Sequence, residues 1–122
     1  MATILIVEDN PANMALGVFL LESAGHSVLS ATNAEAGLTL AHSRKPDLIL
    51  MDIQLPGMDG LEATALLKQD DETRAIPVIA LTALAMKGDE QRIRAAGCDG
   101  YIAKPMAYRP FLAAVASQLG RP

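Results

Sequence analysis

The sequence predicts an α/β fold in which a doubly wound, five-stranded parallel sheet lies between two layers of helices. Three observations predict this three-layer architecture. Five short apolar runs alternate strictly with longer segments whose apolar residues recur at helical spacing. The third strand, residues 47–51, carries a continuous apolar run, as expected when helices cover both faces of a sheet. The chain has 122 residues, of which 51% are hydrophobic, and this suits one domain with its own core.

The strands are separated by regular helix signals. They are predicted at residues 3–7, 26–30, 47–51, 76–81 and 101–103. The first three helices begin at capping residues, namely Asn10 before Pro11, Thr32 with Glu35, and Asp59 with Glu62.

The helix ends are marked as clearly. Gly25 ends the first helix, the Arg-Lys-Pro sequence 44–46 ends the second, and Gly97 closes a fourth helix over residues 87–96. The last helix turns four apolar residues inward: Phe111, Leu112, Val115 and Leu119. Right-handed crossovers leave few topologies for such a chain, and by analogy the best match is the strand order 2-1-3-4-5 of flavodoxin-like sheets.

The composition excludes several classes of protein. With 10 basic and 14 acidic residues the net charge is −4, which argues against a nucleic-acid surface. The single cysteine, Cys98, excludes internal disulfides and a cysteine zinc site, and it fits a reducing cytosol. No segment reaches the ~20 apolar residues of a membrane helix, and the N-terminus lacks a basic signal-peptide region. We therefore expect a cytoplasmic protein without nucleic-acid or membrane partners.

Polar residues follow four of the predicted strands. In a sheet of this order, ligands bind at the carboxyl edge, where the strand order reverses. The residues just past the strands there are Glu8, Asp9, Asp52, Thr82 and Lys104. Strands 1 and 3 are neighbours in this order, so the three carboxylates converge. At ~4 Å and an effective dielectric constant near 20, each carboxylate pair costs on the order of 4 kcal/mol.

A hard divalent cation removes that repulsion, and oxygen ligands select Mg²⁺, or Mn²⁺ in its place. Together with Lys104 and Thr82, such an ion resembles a clamp on a transferring phosphoryl group. The Asp52 carboxylate is a suitable nucleophile, because aspartate forms acyl phosphates. Taken singly, each residue is more simply explained as part of a turn, a helix cap or a strand. Their coincidence at one sheet edge favours phosphoryl chemistry.

Along essentially the whole chain, the sequence resembles the receiver domain of two-component response regulators, the CheY-like fold. Five segments carry the resemblance in this order: ILIVEDN at 4–10, KPDLILMDIQLP at 45–56, MDG at 58–60, TA at 82–83 and YIAKP at 101–105. The resemblance implies a single receiver domain over residues 1–122, with no output domain.

The resemblance also assigns roles in phosphoryl transfer. Asp52 is implied to be the phospho-acceptor. Asp9 would bind Mg²⁺ directly and Glu8 through water, with Asp52 and the backbone carbonyl of Gln54 as further ligands. Thr82 would donate a hydrogen bond to one phosphoryl oxygen, and Lys104 would pair with another.

Further positions are implied to control switching and lifetime. Pro105 would follow a cis peptide bond that aims Lys104 at the site. Tyr101 matches an aromatic switch that moves inward when Thr82 is drawn to the phosphoryl group. Gln54 and Leu84 occupy positions that tune the phosphoryl lifetime. Because an apolar Leu84 hinders water more than an acidic residue would, we expect an intermediate to long lifetime.

The implied reaction is transfer from a phosphohistidine, on a histidine kinase or histidine-phosphotransfer protein, to Asp52. The receiver would catalyse its own phosphorylation and dephosphorylation, with the donor docking on the first helix and the loop after Lys104. The weakly apolar fourth helix, the fifth strand and the last helix would contact a downstream protein target. Residues 7–14 and 85–90 are similar to free-standing single-domain regulators of the DivK type, and also to receivers of hybrid histidine kinases. We expect a free-standing regulator, with a receiver cut from a hybrid kinase or larger regulator as the alternative.

Two other classes fit the motifs less well. A Mg²⁺ phosphatase that forms an aspartyl phosphate needs a second acid two residues after the nucleophile, where this chain has Gln54. A flavodoxin-like nucleotide or flavin binder needs a glycine-rich loop after the first strand. Residues 8–11 there are Glu-Asp-Asn-Pro, which repel phosphate.

Overall fold

The computed structural model describes residues 2–83, 87–104 and 106–120. Within that part, it confirms an all-parallel, five-stranded sheet with strand order β2-β1-β3-β4-β5. The strands are β1 (Thr3–Val7), β2 (Ser27–Ala31), β3 (Leu48–Asp52), β4 (Val78–Thr82) and β5 (Gly100–Ala103). The helices are α1 (Pro11–Ser23), α2 (Ala34–Arg44), α3 (Gly60–Gln69), α4 (Lys87–Ala95) and α5 (Tyr108–Leu119). Two positions with predicted roles, Leu84 and Pro105, lie outside the described residues.

Each face of the sheet carries its own apolar core. Ile4 and Ile6 of β1 pack on the side of α1 and α5, where Phe111 is fully buried. Leu5 and Val7 point to the other side and pack with residues of α2, α3 and α4. All five residues of β3 are buried, as its apolar run predicts. The central strands are therefore held from both faces, and their carboxyl edge is a rigid platform.

Strands β3 and β4 end later than predicted, at Asp52 and Thr82. Asp52 stands opposite Leu81, and the Ile53 N–H donates to the Leu81 carbonyl at 3.1 Å. Thr82 stands opposite Ala103, and its carbonyl accepts from the Lys104 N–H at 2.7 Å. Because the ladder continues through these residues, their backbones belong to the sheet rather than to loops.

The predicted start of α2 is wrong by one residue. The N-cap is Asn33 rather than Thr32, and its Oδ1 accepts a hydrogen bond from the Ala36 N–H at 2.8 Å. Asparagine is at least as good an N-cap as threonine, so the later residue takes the position. The predicted caps of α1 at Asn10 and of α3 at Asp59 are both present. In the described part of the chain, no helix is long and apolar enough to span a membrane.

The corrected cap of α2 can be tested by paired substitutions. Asn33→Ala removes the side-chain acceptor, and we expect it to lower the free energy of unfolding by about 1 kcal/mol. Thr32→Ala, one residue earlier and equally exposed, is the matched control, with an expected change within about 0.5 kcal/mol. Urea unfolding followed by circular dichroism measures both values. A larger loss in Thr32→Ala than in Asn33→Ala would contradict the assignment.

Candidate functional site

The structure brings three carboxylates together at the carboxyl edge of the sheet. Glu8 and Asp9 follow β1, and Asp52 ends the neighbouring strand β3. Each offers an oxygen atom, and these three oxygens all lie within 4.8 Å of one another. Glu8 is 0% and Asp52 is 2% exposed, whereas Asp9 is exposed to solvent. Two of the three carboxylates are thus buried, and the third is open to solvent.

Lys104, which follows β5, ties the two buried carboxylates together. Its Nζ donates to Asp52 Oδ2 at 2.9 Å and lies 2.6 Å from Glu8 Oε1. The approach to Glu8 is close but poorly directed, so the buried Oε1 is ion-paired without a hydrogen bond of good geometry.

Backbone N–H groups hold the other carboxylate oxygens. The Asn10 N–H donates to Glu8 Oε2 at 3.1 Å, and the Gln54 N–H donates to Asp52 Oδ1 at 2.9 Å. In both cases the donor lies two residues after the acid, as in an Asx-type turn. These donors were not predicted, although an acid at the end of a strand followed by a turn is the sequence signal for them. They fix the direction in which Glu8 and Asp52 point.

Burial and charge pairing together raise the pKa values of both Glu8 and Lys104. Burial raises the pKa of Glu8, the neighbouring Asp52 raises it further, and Lys104 and the Asn10 N–H offset this only in part. Burial alone would lower the pKa of Lys104, but its contacts with Glu8 and Asp52 outweigh burial and hold that pKa above its ordinary value. Lys104 therefore stays a cation in this cleft.

The cluster fits a divalent cation. Three carboxylates and one ammonium have a formal charge of −2, because −3 + 1 = −2. The carboxylate oxygens of Glu8, Asp9 and Asp52 are all hard donors, and Asp9 is exposed to solvent. Such ligands bind hard cations through oxygen.

The remaining predicted residues surround this cluster in different ways. Thr82 is buried at the end of β4, the strand between β3 and β5. Gln54 is exposed, and its backbone N–H donates to Asp52 Oδ1. Tyr101 is 36% exposed and turns towards α4, where its hydroxyl donates to Glu90 Oε1 at 3.2 Å. The other Glu90 oxygen lies 3.6 Å from Arg94 Nε. Glu90 was not singled out from the sequence, because nothing local in it signals a partner on β5.

Comparison with known proteins agrees with this geometry. Residues 4–116 match the profile of the response regulator receiver domain. The polar-differentiation response regulator DivK of Brucella anthropi is 52% identical over 118 residues, which are 97% of this chain and 96% of that protein.

Two solved structures share the fold across nearly their full lengths. The receiver domain of the sensor histidine kinase PA1611 from Pseudomonas aeruginosa, solved with a magnesium ion coordinated in its active-site cleft, is 34% identical with a TM-score of 0.91, and the alignment covers 98% of each chain. The chemotaxis protein CheY4 of Vibrio cholerae is 25% identical with a TM-score of 0.92, over 98% of this chain and 99% of that one.

The charge cluster predicts an effect on stability without metal. Asp9→Asn removes one of three mutually repelling carboxylates, so we expect the free energy of unfolding in EDTA to rise by about 1 kcal/mol, less than the full Coulomb value because Asp9 is exposed. Asp71→Asn is the control, since that exposed acid pairs with Arg74 at 3.1 Å outside the site, and we expect no gain from it. Urea unfolding at low ionic strength measures both changes. A loss of stability in Asp9→Asn would show that repulsion does not dominate this cluster.

Proposed function

This chain belongs to the response regulator receiver family, and we propose that its Asp52 carboxylate accepts a phosphoryl group from a phosphohistidine on a histidine kinase or histidine-phosphotransfer protein. One observation carries the proposal. Asp52 ends a buried central strand with its carboxylate 2.9 Å from the Lys104 ammonium and beside Glu8 and Asp9. A carboxylate held in this way is an oriented nucleophile next to a fixed positive charge.

The residues of the site divide the work of the transfer. An Asp52 carboxylate oxygen forms the new P–O bond while the P–N bond to the donor imidazole breaks, and the imidazole takes up a proton as it leaves. Lys104 orients the acceptor and balances charge on the phosphoryl oxygens. Thr82, at the end of the adjacent β4, donates its hydroxyl to another phosphoryl oxygen. Positioning and electrostatics supply most of the catalysis in phosphoryl transfer.

Mg²⁺, with Mn²⁺ as a substitute, is the cofactor we propose for this cluster. Asp9, Asp52 and the backbone carbonyl of Gln54 would hold it directly, and Glu8 through water. The support comes from the three converging carboxylates and the formal charge of the cluster, and from the magnesium-bound PA1611 receiver. When bound, the ion supplies positive charge against the negative phosphoryl oxygens.

We propose separate surfaces for the phosphodonor and for the downstream protein. On α1, Phe19 is 66% and Leu16 is 37% exposed, and these apolar side chains suit a protein partner at the donor side. The output surface comprises α4, β5 and α5, which expose Tyr101 and Tyr108. Phosphorylation would shift the population of Tyr101 from outward to inward through Thr82.

The proposal includes a free-standing, single-domain regulator located in the cytoplasm. Its support is the match to 96% of the length of DivK and the free, buried Cys98 thiol, which suits a reducing compartment. The receiver of a hybrid kinase would use the same site, but PA1611 is less similar at 34% than DivK at 52%.

Phosphorylation can be tested on the purified chain. We expect wild-type protein incubated with phosphoramidate and Mg²⁺ to gain the mass of one phosphoryl group, read by intact-mass spectrometry. Asp52→Ala removes the nucleophile and is expected to stay unlabelled, whereas the control Asp71→Ala is expected to label like wild type. Unlabelled wild type, or labelling of Asp52→Ala equal to that of wild type, would contradict the proposal.

The lifetime of the phosphoryl group tests the role of Leu84. After removal of the phosphodonor in Mg²⁺ buffer, we expect wild type to keep its label for minutes or longer, and Leu84→Glu to lose it several-fold faster because an acid admits water. The decay of the labelled mass gives both rates. Loss of the wild-type label within seconds would contradict the expectation.

The contact between Tyr101 and Glu90 predicts a shift in the switch. Glu90→Ala removes the acceptor that holds the Tyr101 hydroxyl outward, so we expect the inward population to rise roughly threefold, as for the loss of a weak hydrogen bond. The chain has two tyrosines, so fluorotyrosine at position 101 in a Tyr108→Phe background gives a single ¹⁹F signal. Gln91→Ala, an exposed neighbour on α4, is the control. Identical spectra for the two variants would argue against a role for Glu90.

A further inference from the structure

Gly60, the first residue of α3, is buried directly against the end of β3. A Cβ placed on it would overlap the Asp52 carbonyl oxygen and lie 2.8 Å from both the Asp52 carbonyl carbon and the Ile53 Cα. All of these are backbone atoms. Gly60 is not among the described residues with positive φ, so its glycine is required by space rather than by backbone conformation.

Gly60 packs against the Asp52–Ile53 peptide bond, which belongs to the backbone of the proposed phospho-acceptor Asp52. The N–H of this Asp52–Ile53 peptide donates to the Leu81 carbonyl at 3.1 Å, and the carbonyl of the next peptide, that of Ile53, accepts from the Gly60 N–H at 3.4 Å. A rotation of the Asp52–Ile53 peptide also moves Asp52 Oδ1 relative to its donor, the Gln54 N–H. We therefore expect a displaced peptide to displace the carboxylate as well.

The first turn of α3 is equally constrained. Asp59 and Glu62 form a reciprocal capping box, and the Thr64 hydroxyl donates to the Gly60 carbonyl at 2.8 Å. We therefore expect an added methyl group to strain these hydrogen bonds or those of the strand end.

Two other buried helix glycines provide a comparison. A Cβ on Gly17 would lie 2.5 Å from Ile6 Cδ1, and one on Gly37 would lie 2.8 Å from Val7 Cγ2. Those atoms are the ends of side chains, which can move by small rotations. At Gly60 the obstacle is the main chain of the acceptor itself.

We propose that Gly60 is a positioning residue for phosphoryl transfer: the absence of its side chain lets α3 brace the Asp52–Ile53 peptide, and this sets the place of the Asp52 carboxylate. The inference rests on the proposed function, since it concerns the same acceptor.

The test compares Gly60→Ala with Gly37→Ala, which adds the same methyl group to a buried helix glycine away from the acceptor peptide. Labelling by phosphoramidate is followed by intact mass at a temperature where circular dichroism shows each variant folded, and rates are expressed per folded molecule. We expect Gly60→Ala to label at least about tenfold more slowly than wild type, because small misplacements of reacting groups are costly. Gly37→Ala is expected to stay within about twofold, whatever its loss of thermal stability.

A second readout is independent of phosphoryl transfer. The affinity of the acidic cluster for Mn²⁺, measured by electron paramagnetic resonance, depends on where the Asp52 carboxylate lies. We expect weaker Mn²⁺ binding in Gly60→Ala and unchanged binding in Gly37→Ala. A purely structural role would lower stability in both variants and leave rate and affinity per folded molecule alone, and that result would overturn the proposal.

If Gly60→Ala does not fold, Asp59→Ala provides the test, since it loosens the first turn of α3 without adding atoms. We expect Asp59→Ala to slow labelling several-fold and to weaken Mn²⁺ binding. Unchanged values would contradict the proposal that α3 holds the Asp52–Ile53 peptide in place.

The proposed function and the role of Gly60 are contradicted by different results. Wild type that is not labelled on Asp52 contradicts the proposed function, whereas normal labelling of both wild type and Gly60→Ala contradicts only the role of Gly60.

Discussion

The Lys104 ammonium between Glu8 and Asp52 is the interaction on which the rest of the site depends. Two carboxylates buried to this extent are costly unless paired, because each loses several kcal/mol of hydration. The cation comes from the end of β5 and the acids from the ends of β1 and β3. Only a sheet that brings these strand ends to one edge can pair them. The parallel arrangement of the strands therefore both forms the apolar core and brings the charged side chains close enough to pair.

Rigidity is distributed unevenly around this centre. The central strands are buried on both faces, whereas among the described side chains of α4 only Ile93 is buried. Elements with few buried contacts open or shift at low cost. Under the proposed function, phosphorylation would change the charge at Asp52, and the weakly packed α4 with its Tyr101–Glu90 contact would respond.

The order of elements follows from local patterns that one sequence displays. The strand order, and with it the convergence of Glu8, Asp9 and Asp52, was predicted by analogy with flavodoxin-like sheets. The strand ends at Asp52 and Thr82 do not follow from local patterns, because a polar residue can continue a ladder through its backbone. The N-cap of α2 was predicted wrongly because Thr32 and Asn33 have similar preferences for the N-cap position. The contacts of Glu90 with Tyr101 and of Gly60 with Asp52 arise only from tertiary packing. Hydrophobic patterns locate the edge of a sheet, but not the direction of the side chains on it.

The most direct test of the central claim is to locate the phosphoryl group chemically. Borohydride reduces an acyl phosphate to an alcohol, so a phosphorylated aspartate becomes homoserine, whose position is read by peptide mass spectrometry. After treatment with phosphoramidate and Mg²⁺, the account predicts homoserine at position 52 and none at Asp9. Homoserine at another aspartate, the corresponding alcohol of a glutamate such as Glu8, or a phosphoryl group that resists borohydride would contradict this expectation.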